Sequence, residues 1–169
     1  MSEPEEKDEG TTPRDAGRAL LLLRAGGFAF AVYAEECECV TPWAEPAPLP
    51  HAPGAVLGVV SVRGRMRTVL DPAQLLEPSG LTHERGPAAH ALIASLAGDE
   101  QLALAAETSI ASTLNADDYV SPPESPAFPT RGTFQHEGET VHLLDPARLF
   151  DAAMSGTERR RQRAVNREP

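Results

Sequence analysis

Arg63, Arg65 and Arg67 stand at alternate positions in the run Val-Arg-Gly-Arg-Met-Arg, and their type and spacing suit a definite chemistry. A guanidinium fork pairs with carboxylates through two parallel hydrogen bonds, and a strand period of two puts alternate residues on one face. Such a ridge is a candidate docking surface for a carboxylate-bearing partner. The competing reading is a solvated strand face whose arginines pair with local acids and contribute little. The residues alone leave both readings open. Other chemistries find fewer residues to carry them. His51, His83, His90, His136 and His142 form no H-E-x-x-H run and stand at no ligand spacing from Cys37 and Cys39, so metal hydrolysis has no support. Cys37 and Cys39 read as two reduced thiols, too close for an ordinary disulfide framework. G-x-S-x-G, the P-loop and G-x-G-x-x-G are all missing. Gly26-Gly27 joins two strands where a phosphate loop would open a helix. Asp99-Glu100 and Asp117-Asp118 lie in loop-like sequence, and Asp71 and Asp145 each precede a proline as helix N-caps. No catalytic residue, metal or cofactor is expected, and the chain reads as a non-enzyme.

The arginines must be carried by a hairpin. Val56–Val62 is rich in β-branched residues, Arg63-Gly64 suits a tight turn, and Met66–Leu70 returns. Asp71-Pro72 then starts a short helix over Ala73–Leu76, stopped by Glu77-Pro78-Ser79-Gly80. The same reading predicts a first hairpin of Arg18–Arg24 and Phe28–Tyr33 about Gly26-Gly27. A third joins Ala89–Ala97 to Gln101–Ala106, and a last one follows the Pro-rich stretch Pro122–Pro129. Glu35–Cys39 breaks the strand pattern, and five prolines between Pro42 and Pro53 predict loop or polyproline there.

A chain of 169 residues fits one domain or two very small ones. With 41% hydrophobic and 24% charged residues it should fold, and with only 5% aromatics the core must be built from Ala, Val and Leu. The net charge of −10 disfavours a nucleic-acid partner held through phosphates. Residues 1–17 are acidic and predict a disordered tail. Residues 155–169 carry five arginines and predict a solvated or frayed helical tail beyond a folded body at 18–154. That tail could touch nucleic acid or an anionic membrane, but the acidic body opposes it. The N-terminus has no signal-peptide core, and no apolar run approaches the roughly 20 residues of a membrane span, so no membrane insertion and a cytoplasmic location are expected.

An internal repeat sets the expected architecture. An offset of 74 residues lays Gly58–Leu76 on Gly132–Phe150 with seven of nineteen positions identical: both glycines, Leu-Asp-Pro-Ala and one leucine. Each copy reads as strand, turn, strand and one helical turn, and the fold class is all-β with short, curled or closed sheets. Arg63, Arg65 and Arg67 have Glu137, Glu139 and Val141 as their counterparts.

The stretch Leu49–Gly64, a Pro-rich approach to a glycine, a strand and an Arg-Gly turn, with Met66–Asp71 after it, resembles the central signature of CheW-like domains. The likeness runs from about Leu20 to Phe150, taking in Phe28–Val40 and Gly138–Phe150. It implies two intertwined five-stranded SH3-like β-barrel subdomains with short helices. It also implies a non-catalytic adaptor that couples the cytoplasmic tip of a chemoreceptor to the regulatory domain of a CheA-type histidine kinase in a chemotaxis-like pathway. By position, Arg63 matches the family's signalling arginine and Gly58 and Gly64 its turn glycines, with Val59 and Val62 as apolar contacts beside Arg65 and Arg67. The chain departs from the family at Cys37-Glu38-Cys39-Val40, where a Glu is usual at position 39, and at Ala106-Glu107-Thr108-Ser109, where a Val-Asp-x-Val motif is usual. Cys37, Glu38 and Cys39 are thus counted among the partner-facing residues of a divergent adaptor.

Overall fold

The computed structural model describes residues 17–76, 89–115, 118, 120–123 and 128–165. The chain runs through β1 (Arg18–Ala25), β2 (Phe28–Tyr33), a 3-10 turn at Ala34–Glu36, β3 (Cys37–Pro42), β4 (Val56–Val62), β5 (Arg65–Leu70) and α1 (Pro72–Leu76). It continues through β6 (Leu92–Leu96), β7 (Leu102–Ala106), β8 (Thr108–Leu114), β9 (Thr130–His136), β10 (Glu139–Leu144) and α2 (Pro146–Val165). The fold is all-β, and all four expected hairpins are present. Two strands were not expected. β3 lies where Glu35–Cys39 breaks the alternation, and β8 follows β7 directly and pairs with β1 along its whole length. The helices also depart from expectation. α2 does not stop after one turn but runs 20 residues, into the Arg-rich segment. The expected acidic tail and the stop signal at 77–80 fall almost wholly outside the described residues.

Ten strands make two five-stranded sheets, ordered β8-β1-β2-β10-β9 and β3-β6-β7-β5-β4. The chain leaves the first sheet after β2, builds the whole second sheet, and returns, which is the sense in which the halves interlock. Closure of either sheet into a barrel is not one of the described ladders. The core follows the two sheets. Both faces of the central strands are buried, and β7 (Leu-Ala-Leu-Ala-Ala) is buried at all five positions. Leu102, Leu104 and Ala106 join Leu23, Phe30, Leu70, Leu144 and Leu149 in the core shared by both sheets. Ala103 and Ala105 face a separate core with Val60, Val62, Val69 and Ile93. The matching inner core of the first sheet holds Leu20, Ala31, Phe134, Val141 and Leu143.

The sequence repeat is a structural repeat. Arg63-Gly64 has φ 51° and 78°, and Glu137-Gly138 has φ 50° and 80°, positive at both central residues as the twist of a two-residue hairpin favours. A bulge falls between Val56 and Gly58 opposite Val69–Leu70, and another at the same register opposite Leu143–Leu144. At each bulge a second segment comes up against the glycine: Ala47 bridges Val59, and Ser121 bridges Thr133. Ala55 O accepts from Asp71 N–H at 2.8 Å, and Pro129 O accepts from Asp145 N–H at the same distance. The carboxylates then cap the helices as expected, Asp71 accepting from Ala73 N–H at 3.0 Å and Asp145 from Ala147 N–H at 3.3 Å.

The bulge explains why glycine stands at positions 58 and 132. A Cβ on Gly58 would lie 2.3 Å from Ala47 O and one on Gly132 2.2 Å from Ser121 O, whereas a Cβ on Gly64 or Gly138 meets nothing within 4 Å. Urea denaturation of single alanine variants should therefore split into two classes. Gly58→Ala and Gly132→Ala should each lose on the order of 3 kcal/mol, from clash and strained φ together. Gly64→Ala and Gly138→Ala should lose about 1 kcal/mol, from φ alone. Equal losses in all four would contradict this account of the bulges.

Candidate functional site

The second sheet holds a cavity of about 350 Å³ lined by Glu38, Cys39, Val62, Arg63, Arg65 and Arg67. Arg65 and Arg67 come from β5, where residues 65, 67 and 69 share the inner face. Val62 ends β4 opposite Arg65. Arg63 stands in the turn beyond them, so all three arginines line one concavity. Glu38 and Cys39 come from β3. Consecutive residues of a regular strand point to opposite faces, yet both line the cavity. A register shift between Cys37 and Cys39 explains this. The bulge leaves Glu38 outside the ladder and re-aims it, and it puts Cys37 against the core between the sheets while Cys39 packs toward the inner core of the second.

The arginines are not equivalent. Arg67 is only 2% exposed. It donates to Leu96 O at 2.9 Å and forms an ion pair with Glu38, while its Nε finds no partner. This corrects the expected solvent-facing ridge at position 67: the guanidinium is interior and already engaged. Arg65 has a side chain 64% exposed and approaches the same Glu38 at 3.7 Å, within ion-pair range but beyond a good hydrogen bond. Arg63 is exposed, and among the described residues it makes no ion pair. The local-acid reading holds for Arg67, and Arg63 and Arg65 remain available at the rim.

Other expected site residues lie elsewhere. Gly58 follows the bulge and lies under Ala47, Val59 faces away from Val60 and Val62, and neither lines the cavity. Gly64 completes the turn beside Arg63. The Cys37 thiol donates weakly to Cys39 O at 3.6 Å. Burial pushes the Cys37 thiol up from its ordinary pKa, with the neighbouring Cys39 adding to the shift, so it is held protonated. Both cysteines are free. Of the expected histidines, His90 stacks on Trp43 with ring centroids 4.7 Å apart, and His142 packs beside Phe28 and Phe30. Among the described residues no three His, Cys, Asp or Glu side chains converge as a metal site would need.

The CheW-like domain family model matches residues 19–154, most of the chain and both sheets. The chain belongs to the CheW-like domain family. The Chemotaxis protein CheW of Rhizobium meliloti (strain 1021) is 35% identical over 57 residues, which are 34% of this chain and 37% of that relative. The chain thus spans about a third of that relative's length in the match. Among solved structures, the scaffolding protein TtCheW from Thermoanaerobacter tengcongensis superposes with a TM-score of 0.62 at 14% identity, covering 76% of this chain and 88% of that one. At that identity the likeness shows the fold. CheW-like proteins are non-catalytic adaptors.

Position 67 is an interior difference between the two copies of the repeat inside this family fold. Val141, the counterpart of Arg67, is a buried apolar residue of the first sheet's inner core. Only the Arg67 end of the pair is buried, since Glu38 lies at the exposed margin. Truncating Arg67 empties a buried site and leaves Leu96 O without its donor, at a cost of about 3 kcal/mol, whereas an apolar replacement of a paired charge is commonly neutral or better. Chemical denaturation should show Arg67→Ala losing about 3 kcal/mol and the double variant Arg67→Val with Glu38→Gln recovering most of it. A double variant as unstable as Arg67→Ala would mean that the pair does not hold the second sheet together as described.

Proposed function

We propose that this chain is a cytoplasmic scaffold that couples the tip of a chemoreceptor to the regulatory domain of a CheA-type histidine kinase, with the arginine cavity on the receptor side. The observation that carries the reading is the Arg63-Gly64 turn. It lies within the part of the chain that the family model matches, resembles the family's signature by position, and holds a charged side chain with no ion pair among the described residues at the rim of the cavity. A non-glycine residue at φ 51° costs about 1 kcal/mol, but Glu137 adopts the same φ in the other copy. The turn geometry therefore belongs to the repeat, and the charge of Arg63 is what the functional reading rests on. The relatives, a chemotaxis protein and a scaffolding protein, agree with it. The guanidinium stems of Arg63 and Arg65 offer apolar surface beside the charge, and adaptor interfaces of this transient kind need not be large. No helix among the described residues is long and apolar enough to cross a membrane.

A second reading follows from Cys39, which stands where the family usually has a glutamate. The acid has moved to Glu38 and turned inward to Arg67, which suits a divergent adaptor that keeps one of the two interfaces. Pull-down of the full chain against the kinase regulatory domain and, separately, a receptor-tip fragment distinguishes the readings. Binding to both supports coupling, binding to one supports the divergent adaptor, and binding to neither by a folded sample would sink both. Arg63→Ala should weaken receptor binding by about tenfold, the loss expected for one charge-assisted contact, and leave the melting temperature unchanged.

A further inference from the structure

The cavity carries more positive charge than its own acid can balance. Three guanidinium groups face one carboxylate, in a chain whose net charge is −10. Glu38 is committed to Arg67 and reaches Arg65 only at 3.7 Å. Arg63 is left without an ion pair among the described residues. On the inside wall, Arg67 is only 2% exposed, and among the described residues its Nε has no hydrogen-bond partner. An interior charge in a low-dielectric wall also concentrates the field at the mouth.

We propose that this cavity receives a single carboxylate side chain from an acidic segment of the docking partner, held between Arg63 and Arg65, and that Glu38 is its built-in competitor, parked on Arg67. The proposal rests on the reading of the cavity as a docking surface and names the chemistry that it selects. A planar carboxylate suits the site, because its two oxygens can accept in parallel from the guanidinium forks of Arg63 and Arg65. The acidic body repels an acidic segment elsewhere, so the cavity supplies register as well as attraction. The competitor has a second effect. Neutralising Glu38 should tighten partner binding and loosen the fold at once, because Arg67 then loses its counterion.

A fluorescein-labelled hexaglutamate peptide, followed by fluorescence anisotropy on the full chain, tests this directly. The peptide should bind at low salt and weaken as salt rises. Arg65→Glu should reduce affinity about tenfold or more, and Arg65→Lys should recover part of it. Arg18→Glu, on the other sheet, should change nothing. Glu38→Gln should bind the peptide several-fold more tightly and melt at a lower temperature. If that variant does not fold, Glu38→Gln with Arg67→Val removes both charges of the pair and should still bind at least as well as the unaltered chain. Binding that ignores Arg65→Glu, that falls equally with Arg18→Glu, or that weakens in both Glu38 variants would overturn the proposal. So would displacement of the peptide by inorganic phosphate at concentrations where acetate has no effect. Pull-downs of the same variants separate the two readings. Peptide binding with neither receptor nor kinase captured would leave the cavity chemistry standing and remove the adaptor role, and the converse would do the reverse.

Discussion

The contact between Glu38 and Arg67 ties β3 to β5, strands separated in their sheet by β6 and β7. In a flat sheet, strands three places apart lie roughly 14 Å from one another. Their side chains can meet in an ion pair only when the sheet curls its inner face into a trough. The bulge at Cys37–Cys39 supplies the other half of the condition by releasing Glu38 from the ladder. With the trough formed, Val60, Val62, Val69, Ile93, Ala103 and Ala105 close its floor, and the small alanines of β7 let the layers approach. The cavity is the charged end of this apolar trough. Its position therefore follows from the curvature that builds the core, and the three arginines are set by the same hairpin that forms the wall.

The two copies of the repeat divide what the fold demands from what it leaves free. Both keep a glycine where another segment's carbonyl presses on the backbone, a turn with two positive φ angles, and an aspartate that caps the following helix. Each of these satisfies a backbone constraint, and each recurs in the same register. The charges do not recur. Arg63 and Arg65 face Glu137 and Glu139 across the repeat, and Glu139 is occupied by an ion pair with Arg24 of β1. Differences confined to side chains on an identical backbone are where a duplicated element acquires a task. In this chain they collect around one cavity.

Much of this was readable in the sequence wherever a backbone rule has a compositional signature. Glycine pairs and Arg-Gly marked the hairpins, Asp-Pro marked the helix starts, and the 74-residue offset marked the repeat. β3 escaped because its bulge breaks the alternation on which strand recognition depends, and because Pro42 ends it among other prolines. β8 escaped for a different reason. Thr108–Leu114 is an edge strand with few buried residues, so its partner β1 defines it more than its own pattern does. The length of α2 was hidden by a polar, arginine-rich second half. The burial of Arg67 is the most instructive miss. Period-two reasoning placed it correctly beside Arg65, but depth along the strand decides exposure, and the valine at the matching position of the second copy was the signal that this site is interior.

A partner docked on the arginine cavity of the second sheet, as proposed, would alter the surroundings of the residues that line it. Amide chemical-shift mapping of the isotopically labelled full chain against a receptor-tip fragment measures this most directly. The predicted result is a set of perturbations centred on Val62–Arg67 and on Glu38 and Cys39, with the first sheet's β9–β10 turn unmoved. Saturable binding that leaves those residues unshifted and perturbs the Glu137-Gly138 turn would contradict it.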